Sequence, residues 1–105
     1  MNLAVIAGRL VRNAVVKGSD RKVLLFTVAT QLGNEGSGQK ERLTHVPVVV
    51  FGPSEDLERS LVENGPGTHI ELEGRIVTSS YESNGERKFT TEVIAFNRSI
   101  TLFKY

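Results

Sequence analysis

Few residues in this sequence have the types and spacings that would support catalysis or metal binding. His45 and His69 both fall on strand-like stretches, and neither has a cysteine or a second histidine at metal-ligand spacing. The chain contains no cysteine, so disulfides and thiolate ligands are excluded. Glu71 and Glu73 occupy alternate positions of one strand, which is more typical of a solvated face than of an acid–base pair. The sequence therefore predicts no enzyme, no metal site and no cofactor.

Phosphate-binding and nucleophile motifs are also absent from the sequence. The glycine-rich segment 33–38 lacks the Lys-Ser/Thr ending of a phosphate-binding loop, and no helix pattern follows it. The chain has neither a Gly-x-Ser-x-Gly elbow nor a dinucleotide fingerprint. We instead predict that the segment 32–42 is a long, mobile hairpin loop.

Aromatic and basic side chains provide the other chemistry that this sequence offers. Only five Phe and two Tyr occur in 105 residues, and there is no Trp. Tyr81 stands among serines and a glutamate, shortly before an Asn-Gly turn signal and the basic pair Arg87 and Lys88. A position at the tip of a predicted hairpin indicates a role for Tyr81 outside the core.

The charges are unevenly distributed, although the net charge is only +1 from 13 basic and 12 acidic residues. Residues 1–22 carry five basic side chains against one acid, whereas residues 54–63 carry four acids and one arginine. Separated patches of this kind can steer a polyanion to one face of a protein. Ordinary solvated surface charge explains any single patch equally well.

The length of 105 residues is typical of one domain, which we place at residues 1–105. Phe26 and Phe96, each inside an apolar run, are expected in its core. No apolar run approaches the ~20 residues of a membrane span. The N-terminal run is too short for a signal peptide and has no basic region before it. We therefore expect a cytoplasmic protein with no membrane partner.

Five β-strands are indicated by apolar runs and by alternation. The fourth alternates most clearly, with Ile70, Leu72 and Ile76 on the core face and charged residues on the other. Pro47 interrupts the third run and fits only an edge or a bulge, because proline has no N–H for the ladder. The predicted strands are 3–11, 22–30, 43–52, 69–78 and 87–96.

One helix is predicted between the third and fourth strands. Ser54 can cap it, Leu57 and Leu61 share one of its faces, and Gly65–Pro66 end it. The Asn84–Gly85 pair predicts a tight hairpin between the fourth and fifth strands. This order indicates an all-β protein, a five-stranded OB-fold Greek-key barrel with one short helix between the third and fourth strands. The pattern alone leaves another small β fold open.

Four segments occur in an order that is typical of one protein family: MNLAVIAGRLVRN, LLFTVAT, VPVVVFG and HIELEGRIVTSSYESNGERKFTTEV. Over residues 2–96 this succession resembles the bacterial single-stranded DNA-binding proteins, and the last segment is its most specific part. The resemblance implies the OB-fold and non-sequence-specific binding and protection of single-stranded DNA in replication, recombination or repair. It also implies a homo-oligomer, either a tetramer or a dimer. Such binding combines base stacking on aromatic rings with phosphate contacts that weaken in salt.

The resemblance assigns base stacking to particular residues. Tyr81 falls where the family has a stacking tryptophan, and Phe51 falls where it has a stacking phenylalanine. Two other family tryptophans fall at Asn34 and His45; a histidine can stack weakly, whereas an asparagine cannot. Phe89 fits either stacking or a role in covering the barrel edge, and core packing is the alternative for Phe51.

Basic residues are the expected phosphate contacts, with solvated surface as the alternative for each of them. Arg75 is favoured because it lies on the polar face of the fourth strand. Lys40 and Arg42 are expected to reach DNA from the long loop. Strand 3–10 is the expected subunit edge, because an exposed strand edge favours pairing with a second copy. The candidates are Arg9, Arg12, Lys22, Lys40, Arg42, Arg75, Arg87 and Lys88.

Departures from the family pattern leave other interpretations open. Family members usually continue into a disordered tail with an acidic, partner-recruiting tip, whereas this sequence stops at ITLFKY. The resemblance is therefore to a short form without that tail, whether natural or truncated. The short length and the VPVVV run also resemble the primosomal replication protein N type, OB dimers that act in replication restart. A further interpretation is an OB module whose main partner is another protein, such as a replication or primosome protein, with weak DNA binding.

Overall fold

The computed structural model describes residues 1–33 and 42–103 of the chain. Strands dominate the described residues, as the sequence predicts, and one α-helix lies among them. In chain order the elements are β1 (Ala4–Leu10), β2 (Val15–Lys17), β3 (Val23–Gly33), β4 (Arg42–Phe51), α1 (Glu55–Asn64), β5 (His69–Ser83), β6 (Glu86–Ala95), a 3-10 turn (Asn97–Ser99) and β7 (Thr101–Phe103).

Five of the strands form a closed ring. β1 pairs with both β3 and β5, β3 pairs with β4, β4 pairs with β6, and β6 returns to β5. Only the pairing of β4 with β6 is parallel among these. The ring, with α1 between its third and fourth strands, confirms the predicted OB-fold barrel. β2 and β7 add to β3 and β5, and the sequence did not indicate them because strands of three residues carry no alternating pattern.

The core is built from side chains that alternate inward along the ring strands. Phe26 is only 5% exposed, as predicted, and Leu24 and Leu72 are fully buried. Leu57 and Leu61 of α1 join the same cluster. The barrel and the helix therefore share one hydrophobic core.

The ends of α1 form as the sequence predicts. The Ser54 Oγ accepts a hydrogen bond from the Leu57 N–H at 3.1 Å, which satisfies one unpaired donor of the first turn. At the other end, the Gly65 N–H donates to the Leu61 carbonyl in a left-handed conformation at φ 68°. None of the described residues forms a helix that is long and apolar enough to cross a membrane.

Two glycines allow neighbouring ring strands to approach closely. A Cβ on Gly8 would collide with the Ala29 carbonyl, and a Cβ on Gly74 would collide with the Ile94 carbonyl. Gly74 is also where β5 changes partner, because β5 pairs with β1 up to this residue and with β6 from it onwards.

Past the barrel, β5 and β6 continue as a two-stranded arm, defined here as residues 77–83 and 86–92. The pairing runs to Ser83 opposite Glu86, and the turn has positive φ at Asn84 (52°) and Gly85 (80°). Positive φ at both central residues is the geometry of a type I′ turn, which confirms the tight hairpin. The strand extends past its predicted end, so that Tyr81 lies within β5 rather than at the hairpin tip.

Two apolar residues that were expected in the core are exposed. Ile76 has the inward parity of β5, yet it is 49% exposed because it lies past Gly74, where β1 no longer covers the sheet. Phe96 is 47% exposed because Ala95 takes the inward position at the end of β6 and the next residue points outward. The prediction for Phe96 was wrong because an apolar run does not show which of its residues alternate inward, and the prediction for Ile76 was wrong because alternation does not show where a neighbouring strand ends.

Pro47 lies at an edge of β4, as predicted. The Gly52 N–H donates to the Lys22 carbonyl. The backbone N–H and C=O groups of the even-numbered residues of β4 therefore point towards β3, and those of the odd-numbered residues point towards the other edge. Pro47 therefore turns its missing N–H away from β3, and the pairing of β4 with β6 begins only at Val48.

The two ends of the loop predicted at 32–42 belong to strands in the structure. Gly33 still pairs with Arg42, which makes Arg42 the first residue of β4 rather than part of a loop. Residues 34–41, with the predicted positions Asn34 and Lys40, lie outside the described residues.

Candidate nucleic-acid interface

The alternation of side chains divides the β5–β6 hairpin into two faces. The outer face points away from the core and carries Arg75, Tyr81 and, directly opposite Tyr81, Lys88. The reverse face continues the inward parity of the core strands and carries Arg87 and Phe89. The structure therefore separates two predicted contacts, Arg87 and Phe89, from Tyr81.

The outer face continues from the hairpin onto β4. Val49 pairs with Ile94, and Ile94 pairs with Arg75, so that the three strands present one surface. His45 and Phe51 occupy outward positions of β4 on this surface. The predicted stacking residues that share the outer face are Phe51, His45 and Tyr81.

The rings of Phe51 and Tyr81 are open to solvent. Phe51 is 58% exposed and Tyr81 is 49% exposed. This exposure excludes core packing for Phe51, which the sequence had left open. Exposed rings on one surface are available for stacking against flat, aromatic units of a ligand.

The shared outer surface is elongated, and the part of it from Phe51 to Tyr81 is called the track below. Phe51 lies just past the row of Val49, Ile94 and Arg75, whereas Tyr81 lies on the opposite side of this row, towards the arm tip. Phe51 is two residues past this row on β4, and Tyr81 is six residues from it in the opposite direction on β5. The two residues are therefore eight residues apart along the strand direction, or ~26 Å at ~3.3 Å per residue. The surface is therefore long enough for several units of an extended polymer.

Cations accompany the predicted stacking residues. Lys88 is the cross-strand partner of Tyr81. Arg9 of β1 joins the outer face through Ala29, which pairs with both Arg9 and His45. Lys88 and Arg9 are both exposed, so one positive charge lies directly opposite Tyr81, and a second lies on the same face two strands away from His45.

A shallow groove crosses the outer face between β2 and the base of the arm. Its lining includes Arg12, Val15, Lys17, Pro47 and Glu92. Val15 is half exposed and provides an apolar wall beside the two cations. Lys17 was not among the predicted contacts, because it is placed here by the short β2. The composition of the basic segment 1–22 was the only sequence signal for it.

Two other predicted cations have partners within the protein. Lys22 Nζ forms an ion pair with Glu58 of α1 at 3.5 Å, so it is not freely available to a ligand. Arg42 also has an interaction within the protein. These residues are weaker candidates for phosphate contacts than Lys88 or Arg9.

The histidines do not form a metal centre in the described part of the chain. His45 and His69 lie at outward positions of β4 and β5, and His69 has an interaction within the protein. No three histidine, aspartate or glutamate side chains of the described residues come close enough together to hold a metal ion. What this surface offers is non-covalent binding of an extended anion that carries aromatic units.

The comparisons with known proteins agree with the fold and the resemblance. Among solved structures, the chain is similar to that of the Plasmodium falciparum SSB in complex with ssDNA, with 21% identity, a TM-score of 0.78, and coverage of 97% of this chain and 92% of that chain. At this level of identity the likeness shows a shared fold. No curated protein sequence matches the chain. The model of the Single-strand binding protein family matches residues 1–101, nearly the whole sequence, and the chain therefore belongs to that family.

Proposed function

We propose that this protein binds single-stranded DNA without sequence preference and protects it during replication, recombination or repair. The observation that carries the proposal is the placement of Tyr81, Phe51 and His45 on one exposed sheet surface together with cations. Family membership supports the same class of ligand. The protein acts by binding alone and not as an enzyme.

Base stacking supplies the sequence-independent part of this binding. Every base has a π face, and a base stacked on an aromatic ring contributes ~1–3 kcal/mol. Phe51 and Tyr81 provide the two large rings at opposite ends of the track. His45 provides a smaller ring between them, so we expect weaker affinity than in a relative with large aromatic rings at all of these positions.

Phosphate contacts supply the remaining affinity and its dependence on salt. Each phosphate neutralised on a single strand contributes ~0.7 to the slope of log K against log salt concentration. On the outer face Lys88, Arg75 and Arg9 are exposed and available for this role. The groove adds Arg12 and Lys17 next to these cations.

We also propose that β1 joins two copies of the protein. The Leu10 N–H donates to the Thr68 carbonyl at 2.9 Å, so the backbone N–H and C=O groups of the even-numbered residues of β1 point towards β5. Odd-numbered residues face the other edge, which in the described chain pairs with β3 only at Arg9 and Leu10. The remainder of that edge, around the exposed Val5, can accept the β1 of a second copy. Native mass distinguishes a dimer, as in the primosomal type, from a tetramer with a second interface.

The central test is a titration of labelled oligo-dT at two salt concentrations, with a mixed-sequence oligomer and a duplex of equal length as controls. We expect micromolar or tighter binding of both single strands, a steep loss of affinity in salt, and weaker binding of the duplex. No binding of either single strand at low salt would refute the proposal and favour an OB module that recognises another protein.

A further inference from the structure

A side chain from the 3-10 turn after β6, that of Asn97, holds the backbone at Phe51. The Asn97 Nδ2 donates to the Phe51 carbonyl at 3.3 Å and to the Gly52 carbonyl at 3.1 Å. The Asn97 Oδ1 accepts from the Ser54 N–H at 3.3 Å. A single amide therefore ties together the end of β4, the following turn and the N-cap of α1.

The position of Asn97 follows from the parallel pairing of β4 with β6. Both strands run towards the same end of the barrel, but their pairing stops at Val49 and Ile94. Phe51 has the odd parity of β4, so its carbonyl faces β6, where no backbone partner is paired with it. The Asn97 amide takes the place of that missing ladder partner.

The same segment is held on its other side by β3 and by the helix. The Gly52 N–H donates to the Lys22 carbonyl at 3.0 Å. Ser54, two residues further on, caps α1 through its Oγ. With Asn97 in place, the backbone at Phe51 is fixed from both edges, while the Phe51 ring remains exposed on the outer face.

We propose that Asn97 is a positioning residue for base stacking: its amide fixes the turn that orients the Phe51 ring, so that a base meets a ring already in place. An immobilised platform loses less conformational entropy on binding than a mobile one. This inference rests on the proposed function, and it assigns to Asn97 a role that acts entirely through Phe51.

A double-mutant cycle on oligo-dT affinity tests this role. It compares the wild type with Asn97→Ala, Phe51→Ala and the variant that carries both changes. We expect Asn97→Ala to weaken binding ~3- to 10-fold, and not more than Phe51→Ala does, because it removes only part of one stacking interaction. In the Phe51→Ala background, Asn97→Ala should cause no further loss.

Asn64→Ala is the matched control. The Asn64 Nδ2 donates to the Ser60 carbonyl at 2.6 Å within α1, and not to the backbone at Phe51. Its replacement also removes an amide hydrogen bond, and oligo-dT affinity should stay unchanged.

The rate of hydrogen exchange at the Ser54 N–H provides a second measurement, because Asn97→Ala removes the acceptor of that N–H. If Asn97→Ala does not fold, Asn97→Gln, which displaces the same amide by one methylene, takes its place in the cycle.

The outcomes separate the inference from the proposed function. A wild type that binds DNA, together with an Asn97→Ala variant of unchanged affinity, overturns the role of Asn97 alone. An equal loss in both backgrounds also overturns it, because Asn97 would then act on DNA directly or through general stability. Failure of the wild type to bind overturns the proposed function and, with it, the role of Asn97.

Discussion

Tyr81 and Phe89 lie on opposite faces of the arm, although both are exposed aromatic residues of one hairpin. Tyr81 faces outward with its cross-strand partner Lys88, whereas Phe89 shares the reverse face with Arg87. The hairpin thus carries an aromatic residue and a cation on each side. Only the outer pair continues the surface that also contains Phe51.

Replacing the two rings separately tests which face binds DNA. We expect Tyr81→Ala to weaken oligo-dT binding by ~1–3 kcal/mol, because it removes one stacking platform. Phe89→Ala is the matched control, since it removes an even more exposed ring from the other face and should change the affinity much less. Fluorescence anisotropy titrations at one salt concentration provide the measurement. Equal losses for the two variants would mean that DNA also contacts the reverse face.

The neighbouring cations test the phosphate contacts in the same way. We expect Lys88→Ala to reduce the slope of log K against log salt by ~0.7, the value for one phosphate of a single strand. Arg87→Ala removes the adjacent positive charge from the reverse face and should leave the slope nearly unchanged. Titrations at several salt concentrations give both slopes. The assignment of Lys88 is wrong if its replacement lowers affinity without changing the slope. If Arg87→Ala reduces the slope as much, DNA also contacts the reverse face.

The sequence was sufficient to predict which face of the arm each residue occupies, because the length of the turn fixes the pairing of the two strands. A two-residue Asn84–Gly85 turn requires Ser83 to pair with Glu86, and counting back from there places Tyr81 opposite Lys88. The same count separates Phe89 from Tyr81. The ring strands and the helix were predictable for a related reason, because local periodicity shows which side of an element is buried and caps show where a helix begins and ends.

Contacts between distant parts of the chain could not be predicted in this way. The hydrogen bonds from Asn97 to Phe51 and Gly52 depend on the parallel pairing of β4 with β6, which no local pattern encodes. The exposure of Ile76 depends on where β1 ends its pairing with β5. Such features follow from the closure of the barrel rather than from the composition of any one strand.

The free edge of β1 gives a prediction about assembly. Val5→Pro removes an N–H that faces the open edge, while the ladder to β5 uses the even-numbered residues and is retained. We expect this variant to fold and to show a smaller native mass than the wild type. Native mass spectrometry gives the mass, and far-UV circular dichroism checks the fold. A folded variant with the wild-type mass would exclude this edge as the subunit interface.

The close approach at Gly74 gives a prediction about stability. A Cβ at this position would overlap the Ile94 carbonyl and approach the Cα of Ala95, so that β5 and β6 must separate where the arm leaves the barrel. We expect Gly74→Ala to lower the free energy of unfolding by ~3 kcal/mol, near the upper end of the cost of overpacking. Urea denaturation at constant temperature provides the measurement.

Ser79→Ala is the control for this substitution, because Ser79 is exposed on the same strand and its replacement should change stability by less than ~0.5 kcal/mol. The Gly74→Ala variant should also bind oligo-dT more weakly in conditions where it remains folded, since Tyr81 lies on the strand segment that starts at Gly74 and would shift with it. If the two alanine variants unfold at the same urea concentration, the contact between Gly74 and Ile94 does not constrain the two strands.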